Sequence, residues 1–139
     1  MNTGFALDEP QISPDGAWLA YISRESGRDE LYLEPFRRDG ERVRLSTNGG
    51  GQPKWRGDGK ELFYVTPNDR LVSVTVRTAG NHVEVSLPTE LFGVRGIEGT
   101  VYDDYAPSAD GQRFLVKLPV EENRKPQLHV VTNWTSLLR

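Results

Sequence analysis

The sequence predicts an all-β chain that contains three copies of one repeat and little or no helix. Its 14 glycine and 9 proline residues lie evenly along the chain and separate short β-branched or aromatic runs. No apolar stripe with the helical period of about 3.6 residues persists through several turns. An Asp-Gly pair, a common signal of a tight turn, stands at residues 15–16, 58–59 and 110–111. Regular turns without helical periodicity favour short strands that pair through those turns.

The three copies share one order of turn and strand signals. The aligned segments are Pro10–Tyr21, Pro53–Tyr64 and Tyr105–Val116, and their turns read Ser13-Pro-Asp-Gly16, Arg56-Gly-Asp-Gly59 and Ser108-Ala-Asp-Gly111. In each turn the glycine supplies a positive φ, and the aspartate carboxylate can accept a hydrogen bond from its own backbone. We therefore expect six structural turn residues: Asp15, Gly16, Asp58, Gly59, Asp110 and Gly111.

Each turn is followed by two predicted strands, and the first of the two is apolar at consecutive positions. The first strands are Trp18–Ile22, Leu62–Val65 and Phe114–Leu118, and the second strands are Glu30–Leu33, Leu71–Val76 and Gln127–Val131. Consecutive apolar residues in a strand are typical of burial on both faces. We therefore expect each of the first strands to lie between neighbouring sheets.

The repeat also predicts an inner strand ahead of each turn and an outer strand at its end. The first inner strand includes residues 5–9, the outer strands lie near Arg42–Leu45 and Glu90–Phe92, and the connectors Asn48–Gly51 and Gly93–Gly99 lead to the next copy. The third copy has no such outer strand, and Met1–Gly4 are too few to replace it. Four strands in about 40–50 residues are typical of a β-propeller blade. We predict one domain over residues 1–139, with three blades at about residues 5–47, 48–93 and 94–139.

Several of these motifs carry a resemblance to a known family. They are the three Asp-Gly turns in register, the segments Trp18-Leu-Ala-Tyr21 and Glu61-Leu-Phe-Tyr64, Arg44-Leu-Ser-Thr47 before a glycine run, and the ending Leu128–Leu138. From about Phe5 to Leu138 the chain resembles the WD-repeat-like blades of TolB-type β-propellers, which in bacterial proteins often follow a kinase or DNA-binding region. The resemblance implies a platform for protein interaction or sensing. Related blades form the gating domain of prolyl-oligopeptidase-type peptidases.

The predicted function is a non-catalytic scaffold or protein-interaction module. Members of this family that close into a ring usually hold about six or more blades, so three blades would leave two unpaired faces, around Phe5–Tyr21 and Tyr105–Val131. Each face is expected to expose leucine, phenylalanine, tryptophan and valine side chains. Two copies placed head to tail would close a six-bladed homodimer. The alternative is an accessory propeller fragment of a larger peptidase or serine/threonine kinase sensor protein.

The composition excludes several other classes of protein. The chain has no cysteine, which removes disulfides and thiolate metal sites. A net charge of −3 argues against a general nucleic-acid binder, and the apolar runs are too short for a membrane helix. We expect no cofactor, metal or membrane partner. Residues 1–6 carry no export signal, whereas the resemblance favours the periplasm, so both periplasm and cytoplasm remain open.

The strongest candidates for a functional role are Asp103 and Asp104, either of which could line a central channel. Adjacent residues in a strand point to opposite faces, so the pair cannot chelate one ion without a bulge. The turn carboxylates could bind cations, but capping of their own turns explains them better. The sequence contains neither a Gly-x-Ser-x-Gly elbow nor a phosphate-binding loop, so we expect no catalytic residue.

The remaining polar and aromatic candidates are expected to be structural. Arg37, Arg38, Arg42 and Arg44 surround Asp39 and Glu41, which favours an internally paired, solvated edge. His82 is predicted in a polar loop and His129 in a strand, and neither has a second ligand at metal-binding spacing. Trp18, Trp55 and Trp134 are expected to pack between blades.

Overall fold

The computed structural model describes residues 7–94, 104–118 and 128–132. These residues form twelve β-strands and no helix, which confirms the all-β prediction. None of them belongs to a helix long and apolar enough to cross a membrane. The predicted features at Phe5, Arg95–Gly99, Asp103 and Trp134 lie outside the described residues.

The first sheet is a four-stranded antiparallel meander. Its strands are β1 (Leu7–Ile12), β2 (Trp18–Ser23), β3 (Glu30–Pro35) and β4 (Val43–Arg44), and they are hydrogen-bonded in chain order. The pairing of β1 with β2 shifts register between Asp8 and Gln11, which places a bulge at Glu9 and Pro10. The two-residue β4 ends this sheet near the predicted outer strand.

The second sheet repeats this order and adds one hairpin. Its strands are β5 (Gly51–Trp55), β6 (Glu61–Val65), β7 (Arg70–Ala79), β8 (His82–Val85) and β9 (Thr89–Gly93). The long strand β7 pairs with β6 on one edge, while its other edge pairs first with β9 and farther along with β8. A bulge at Gln52 and Pro53 interrupts the pairing of β5 with β6, at the position equivalent to the bulge in β1.

The third sheet contains three antiparallel strands among the described residues. They are β10 (Tyr105–Pro107), β11 (Arg113–Lys117) and β12 (Leu128–Thr132), again in chain order. The predicted strand segments of all three copies therefore fall on observed strands, with shifts of a few residues at their ends.

The hairpin that contains β8 corrects the prediction that His82 lies in a polar loop. His82 begins β8, and the turn before it places Gly80 at a φ of +62°. Val83 is buried on one face of this strand, whereas His82 and Glu84 are exposed. The signal was present in the sequence as a Gly-Asn turn followed by alternating polar and apolar residues.

The first sheet packs against the second through one large apolar cluster. In β2 the side chains of Trp18, Ala20 and Ile22 point into it, and from β6 it receives Leu62 and Tyr64. We call the face of a sheet that looks toward the next sheet its forward face, and the opposite face its backward face. The backward face of the second sheet also supplies Val72, Val74 and Val76 from β7.

The second and third sheets pack through equivalent positions. Phe63 and Val65, on the forward face of β6, form a cluster with Phe114 and Val116 of β11. The rings of Phe63 and Phe114 meet edge to face, with centroids 5.0 Å apart. The same alternation along each repeat therefore builds both junctions, since adjacent residues of a strand point to opposite faces.

The outer faces of the first and third sheets agree only in part with what the sequence predicts. The expected exposure of leucine and valine on the third sheet is observed at Leu115 and Val130. β11 was expected to be buried on both faces, but Leu115 is 40% exposed because no described strand covers the forward face of the third sheet. Around Phe5–Tyr21, Trp18 and Tyr21 are buried; Trp18 lies in the junction with the second sheet. The exposed large apolar side chains of β1 are those of Leu7 and Ile12.

Candidate functional site

The three Asp-Gly turns share one hydrogen-bond pattern. In the first turn the Gly16 N–H donates to Ser13 O at 2.8 Å, and the Ala17 N–H donates to the Asp15 carboxylate at 3.0 Å. The second and third turns repeat both bonds, through Gly59 with Lys60 and through Gly111 with Gln112. All three turn glycines have a φ near +70°, which is the left-handed region that glycine enters at little cost.

The turn carboxylates are stabilised as anions by partners within their own turns. The Arg56 guanidinium donates two hydrogen bonds to Asp58, at 2.8 and 2.6 Å, and lowers the pKa of Asp58 to about 2. Hydrogen bonds from the Ser13 and Ser108 hydroxyls lower the pKa values of Asp15 and Asp110. Each carboxylate thus has a local structural use. The described residues contain no group of three or more potential ligands for a metal ion.

Equivalent turns of neighbouring sheets lie next to one another. The Gly57 N–H donates to Ala109 O at 2.8 Å, which joins the second turn to the third. A Cβ on Gly57 would lie 2.8 Å from that same oxygen, so glycine permits this approach. On the other side, Pro14 of the first turn is within van der Waals reach of Gly59. The three repeats are therefore aligned side by side at this edge.

A row of polar side chains links the first strands β1 and β5 with the residue that precedes β10. Glu9, Gln52 and Asp104 occupy equivalent positions, immediately before Pro10, Pro53 and Tyr105 in the aligned repeats. The Gln52 N–H donates to the Glu9 carboxylate. The Asp104 N–H donates to the Gln52 side-chain oxygen at 2.7 Å. In both steps, a side chain of one sheet accepts a hydrogen bond from the backbone of the next sheet.

The row depends on the bulged backbone of the inner strands. Glu9 and Gln52 have φ values of +48° and +55°, which are uncommon for residues other than glycine. The Gln52 amide nitrogen also donates to Asp104 Oδ2 at 2.8 Å, and the Tyr105 hydroxyl donates to Gln52 O at 2.7 Å. These bonds fix the side chain of Gln52 between the second and third sheets.

Of the predicted pair of channel-lining acids, Asp104 belongs to this row and Asp103 lies outside the described residues. Asp104 Oδ1 is buried, lies 3.6 Å from Lys117 Nζ, and accepts no hydrogen bond from the part of the chain that the structure describes. Sequence reasoning missed Glu9 and Gln52. Comparing the residue before each aligned segment would have revealed three hydrogen-bonding side chains in register.

A second feature that sequence reasoning missed is the buried carboxylate of Glu30. Its side chain is 0% exposed and lies 3.0 Å from Arg28 Nε. It accepts hydrogen bonds from the Ser46 hydroxyl and, at 3.1 Å, from the Gly49 N–H. Together with burial, the negative charge of Glu30 raises the pKa of Tyr64. Glu30 therefore ties β3 to the connector between the first and second sheets.

Two residues of the arginine cluster, Arg38 and Arg42, pair with groups outside their own loop. Arg42 donates to Glu25 at 2.9 and 2.5 Å and lies 4.9 Å from the ring centre of Tyr32. Arg38 donates to Gly80 O at 3.0 Å, and the Asn81 amide donates to Asp39 O at 2.9 Å, so the loop contacts the added hairpin. The expected partners Asp39 and Glu41 do not pair with Arg42, because Glu25 forms a bidentate contact with it.

The remaining candidates are placed separately. Trp55 packs against the cluster between the first two sheets, and its indole donates to Gln11 O at 3.3 Å. His129 is exposed on β12 and His82 on β8, the latter 3.5 Å from Glu41. Residues of the first two turns, with β7, line a polar cleft of about 730 Å³. Among the charged residues that line this cleft, Arg56 is paired with Asp58 and Glu61.

The chain matches no model of a known protein family and no curated protein.

Proposed function

We propose that the three sheets are consecutive blades of a β-propeller that acts as a non-catalytic scaffold or protein-interaction module. The observation that carries the proposal is the recurrence of one junction between sheets. The forward faces of the first and second sheets each meet the backward face of the next sheet through the same repeat positions. Blades of a propeller pack in this way around a common axis, with their first strands innermost.

The contacts between first strands support this arrangement. Glu9 of β1 is bonded to Gln52 of β5, which is bonded to Asp104 before β10. The Asp-Gly turns meet at another edge, through Gly57 and Ala109. Side-by-side contact at both places is what a radial array of like sheets requires.

A scaffold role is supported by how the charged groups are used. Asp58 pairs with Arg56, Glu25 with Arg42, and Glu90 with Arg70, each within or between structural elements. Such pairs hold turns and edges in place. An enzyme would instead need a nucleophile or acid–base group directed into a cleft.

The proposal includes closure of a six-bladed ring by two copies. Repeat units of this kind bury their apolar faces only against neighbours, and the forward face of the third sheet exposes Leu115 and Val130. Two copies related by a two-fold axis would form two identical head-to-tail junctions and leave no uncovered end.

Multi-angle light scattering of the purified chain tests this assembly. The expected result is a single species with a mass near twice 15.6 kDa. A monodisperse monomer would overturn the two-copy ring. Soluble aggregates without a defined mass would favour the accessory-fragment interpretation, in which further blades are supplied by a larger protein.

A further inference from the structure

The row of inner-strand side chains stops at an unsatisfied acceptor. Glu9 accepts the N–H of Gln52, and Gln52 accepts the N–H of Asp104. By the same rule, Asp104 should accept the backbone N–H of the equivalent residue in a following sheet. Its Oδ1 is buried and accepts no hydrogen bond from the described residues; its ion-pair partner Lys117 Nζ, at 3.6 Å, is too far away to donate one. A buried acceptor that receives no hydrogen bond is costly. The equivalent residue of a following sheet can therefore extend the row by donating to Asp104.

The forward face of the third sheet carries one apolar patch, centred on Leu115 and flanked along β11 by the charged residues Arg113 and Lys117. Leu115 is equivalent to Phe63, which fills the junction between the second and third sheets. Its cross-strand partner Val130 is 60% exposed, and Ala106 lies opposite Leu115 on β10. These three residues form one patch, because directly paired residues of antiparallel strands share a face.

The complementary patch lies on β1. Ile12 pairs with Leu19, so it is on the backward face of the first sheet, and it is 51% exposed. The equivalent residue of the second sheet, Trp55, packs on the sheet before it and donates to Gln11 O. Leu19 and Tyr21 of β2 are already buried. Contact with another sheet is therefore expected along β1, on the inner side of the first sheet.

We propose that a second copy of this chain docks through β1 onto the forward face of the third sheet. This inference rests on the proposed two-copy ring and names its junction. Ile12 of the second copy covers the patch formed by Ala106, Leu115 and Val130. The Asp104 side chain turns toward the junction on docking, so that Oδ1 accepts the backbone N–H of Glu9 of the second copy. This bond extends the row across the junction and, by symmetry, around the ring.

In the single chain, the backbone N–H of Glu9 is bonded only locally, to the residue before it. The Glu9 N–H donates to the exposed carboxylate of the preceding residue, Asp8, at 2.9 Å. The backbone N–H groups of Gln52 and Asp104 do not bond to their preceding residues. Each donates instead to a side chain of the sheet before it. On docking, the Asp8 carboxylate turns to solvent and Asp104 takes its place.

Two lysine substitutions, one on each side of the junction, test the proposal. Leu115→Lys and Ile12→Lys each place a charge in the patch without disturbing a buried side chain. The matched control is Leu87→Lys, at a leucine that is 87% exposed between β8 and β9. We expect both junction variants to shift from twice 15.6 kDa to 15.6 kDa, while the control remains dimeric. Circular dichroism should show the same β-rich spectrum for all three.

Mixing the two junction variants distinguishes head-to-tail docking from other dimers. A mixed pair joins the intact third sheet of the Ile12→Lys chain to the intact first sheet of the Leu115→Lys chain. We expect the mixture to regain a dimeric mass that neither variant shows alone. If the unsubstituted chain is dimeric but both variants stay dimeric, the two-copy assembly survives and this junction is wrong. If the unsubstituted chain is monomeric, both are wrong.

The hydrogen bond of Asp104 has its own test. Asp8→Ala removes the competing acceptor of the Glu9 N–H and leaves both patches unchanged. Because the symmetric ring contains this bond at both junctions, we expect the dissociation constant of the dimer to fall by roughly five- to 150-fold, the range that two net hydrogen bonds supply. An unchanged or higher dissociation constant would contradict the bond between Asp104 and the second copy.

Discussion

At the residue scale, the turn glycines combine a backbone requirement with little steric demand. Gly59 has a φ of +71°, and a Cβ there would be 3.4 Å from Pro14 Cδ, an ordinary contact. The cost of substitution therefore comes from the backbone. We expect Gly59→Val to lower the free energy of unfolding by about 1–2 kcal/mol, the cost of a left-handed conformation for an L residue. Gly59→Asn is the matched variant, since asparagine tolerates this region. Its melting temperature should lie between those of the unsubstituted chain and Gly59→Val.

The carboxylate of the same turn makes stability depend on pH. Arg56 lowers the pKa of Asp58 to about 2 in the folded protein, from an ordinary value of 3.8. A depressed folded pKa means that its stabilising contribution is complete above the unfolded pKa and is lost as the pH falls toward 2. We expect Asp58→Asn to lose stability less steeply than the unsubstituted chain between pH 4 and 2. Equal slopes in melting experiments across that range would show that this carboxylate is not coupled to folding.

At the element scale, the two faces of β11 have different neighbours. Phe114 is fully buried, with the rings of Phe63 and Phe92 at 5.0 and 5.4 Å between centroids. We expect Phe114→Ala to cost about 3–5 kcal/mol, the usual range for a buried phenylalanine. The control Leu87→Ala, at an exposed position, should change stability by less than about 0.5 kcal/mol. Urea denaturation gives both values, and similar losses for the two would contradict the packing of β11.

The same strand shows how far the sequence could predict this fold. The run Phe-Leu-Val predicts β11 correctly as a strand, because local propensity and the preceding turn both favour one. It cannot tell that only one face meets another sheet, since burial on the second face depends on which sheet lies next to it. β8 was missed for a different reason. Its Gly-Asn turn interrupts no apolar run, and the alignment of the repeats has no equivalent strand there.

The polar row between inner strands illustrates the same limit. The alignment contains Glu9, Gln52 and Asp104 in register, so their equivalence was visible in the sequence. Their hydrogen bonds were not, because these require the bulges that turn the backbone at Glu9 and Gln52 to positive φ. A bulge redirects a side chain without leaving a distinct pattern in the sequence.

At the scale of the whole molecule, folding and assembly should be coupled equilibria. A two-copy ring unfolds to two separate chains, so mass action makes its melting temperature rise with protein concentration. The forward patch of the third sheet is exposed in the single chain and covered in the ring, which links assembly to stability. We expect the melting temperature to increase over a hundredfold range of concentration. Leu115→Lys should abolish this dependence because it breaks both junctions of the symmetric ring at once.

The comparison also separates stability within a chain from stability gained by assembly. At low concentration the unsubstituted chain and Leu115→Lys should melt at similar temperatures, since Leu115 is 40% exposed within one chain. At high concentration the melting temperature should rise for the unsubstituted chain and stay unchanged for Leu115→Lys. Leu87→Lys should follow the unsubstituted chain throughout, because Leu87 lies outside the proposed junction. A melting temperature independent of concentration in the unsubstituted chain would mean that its three sheets are stable without a second copy.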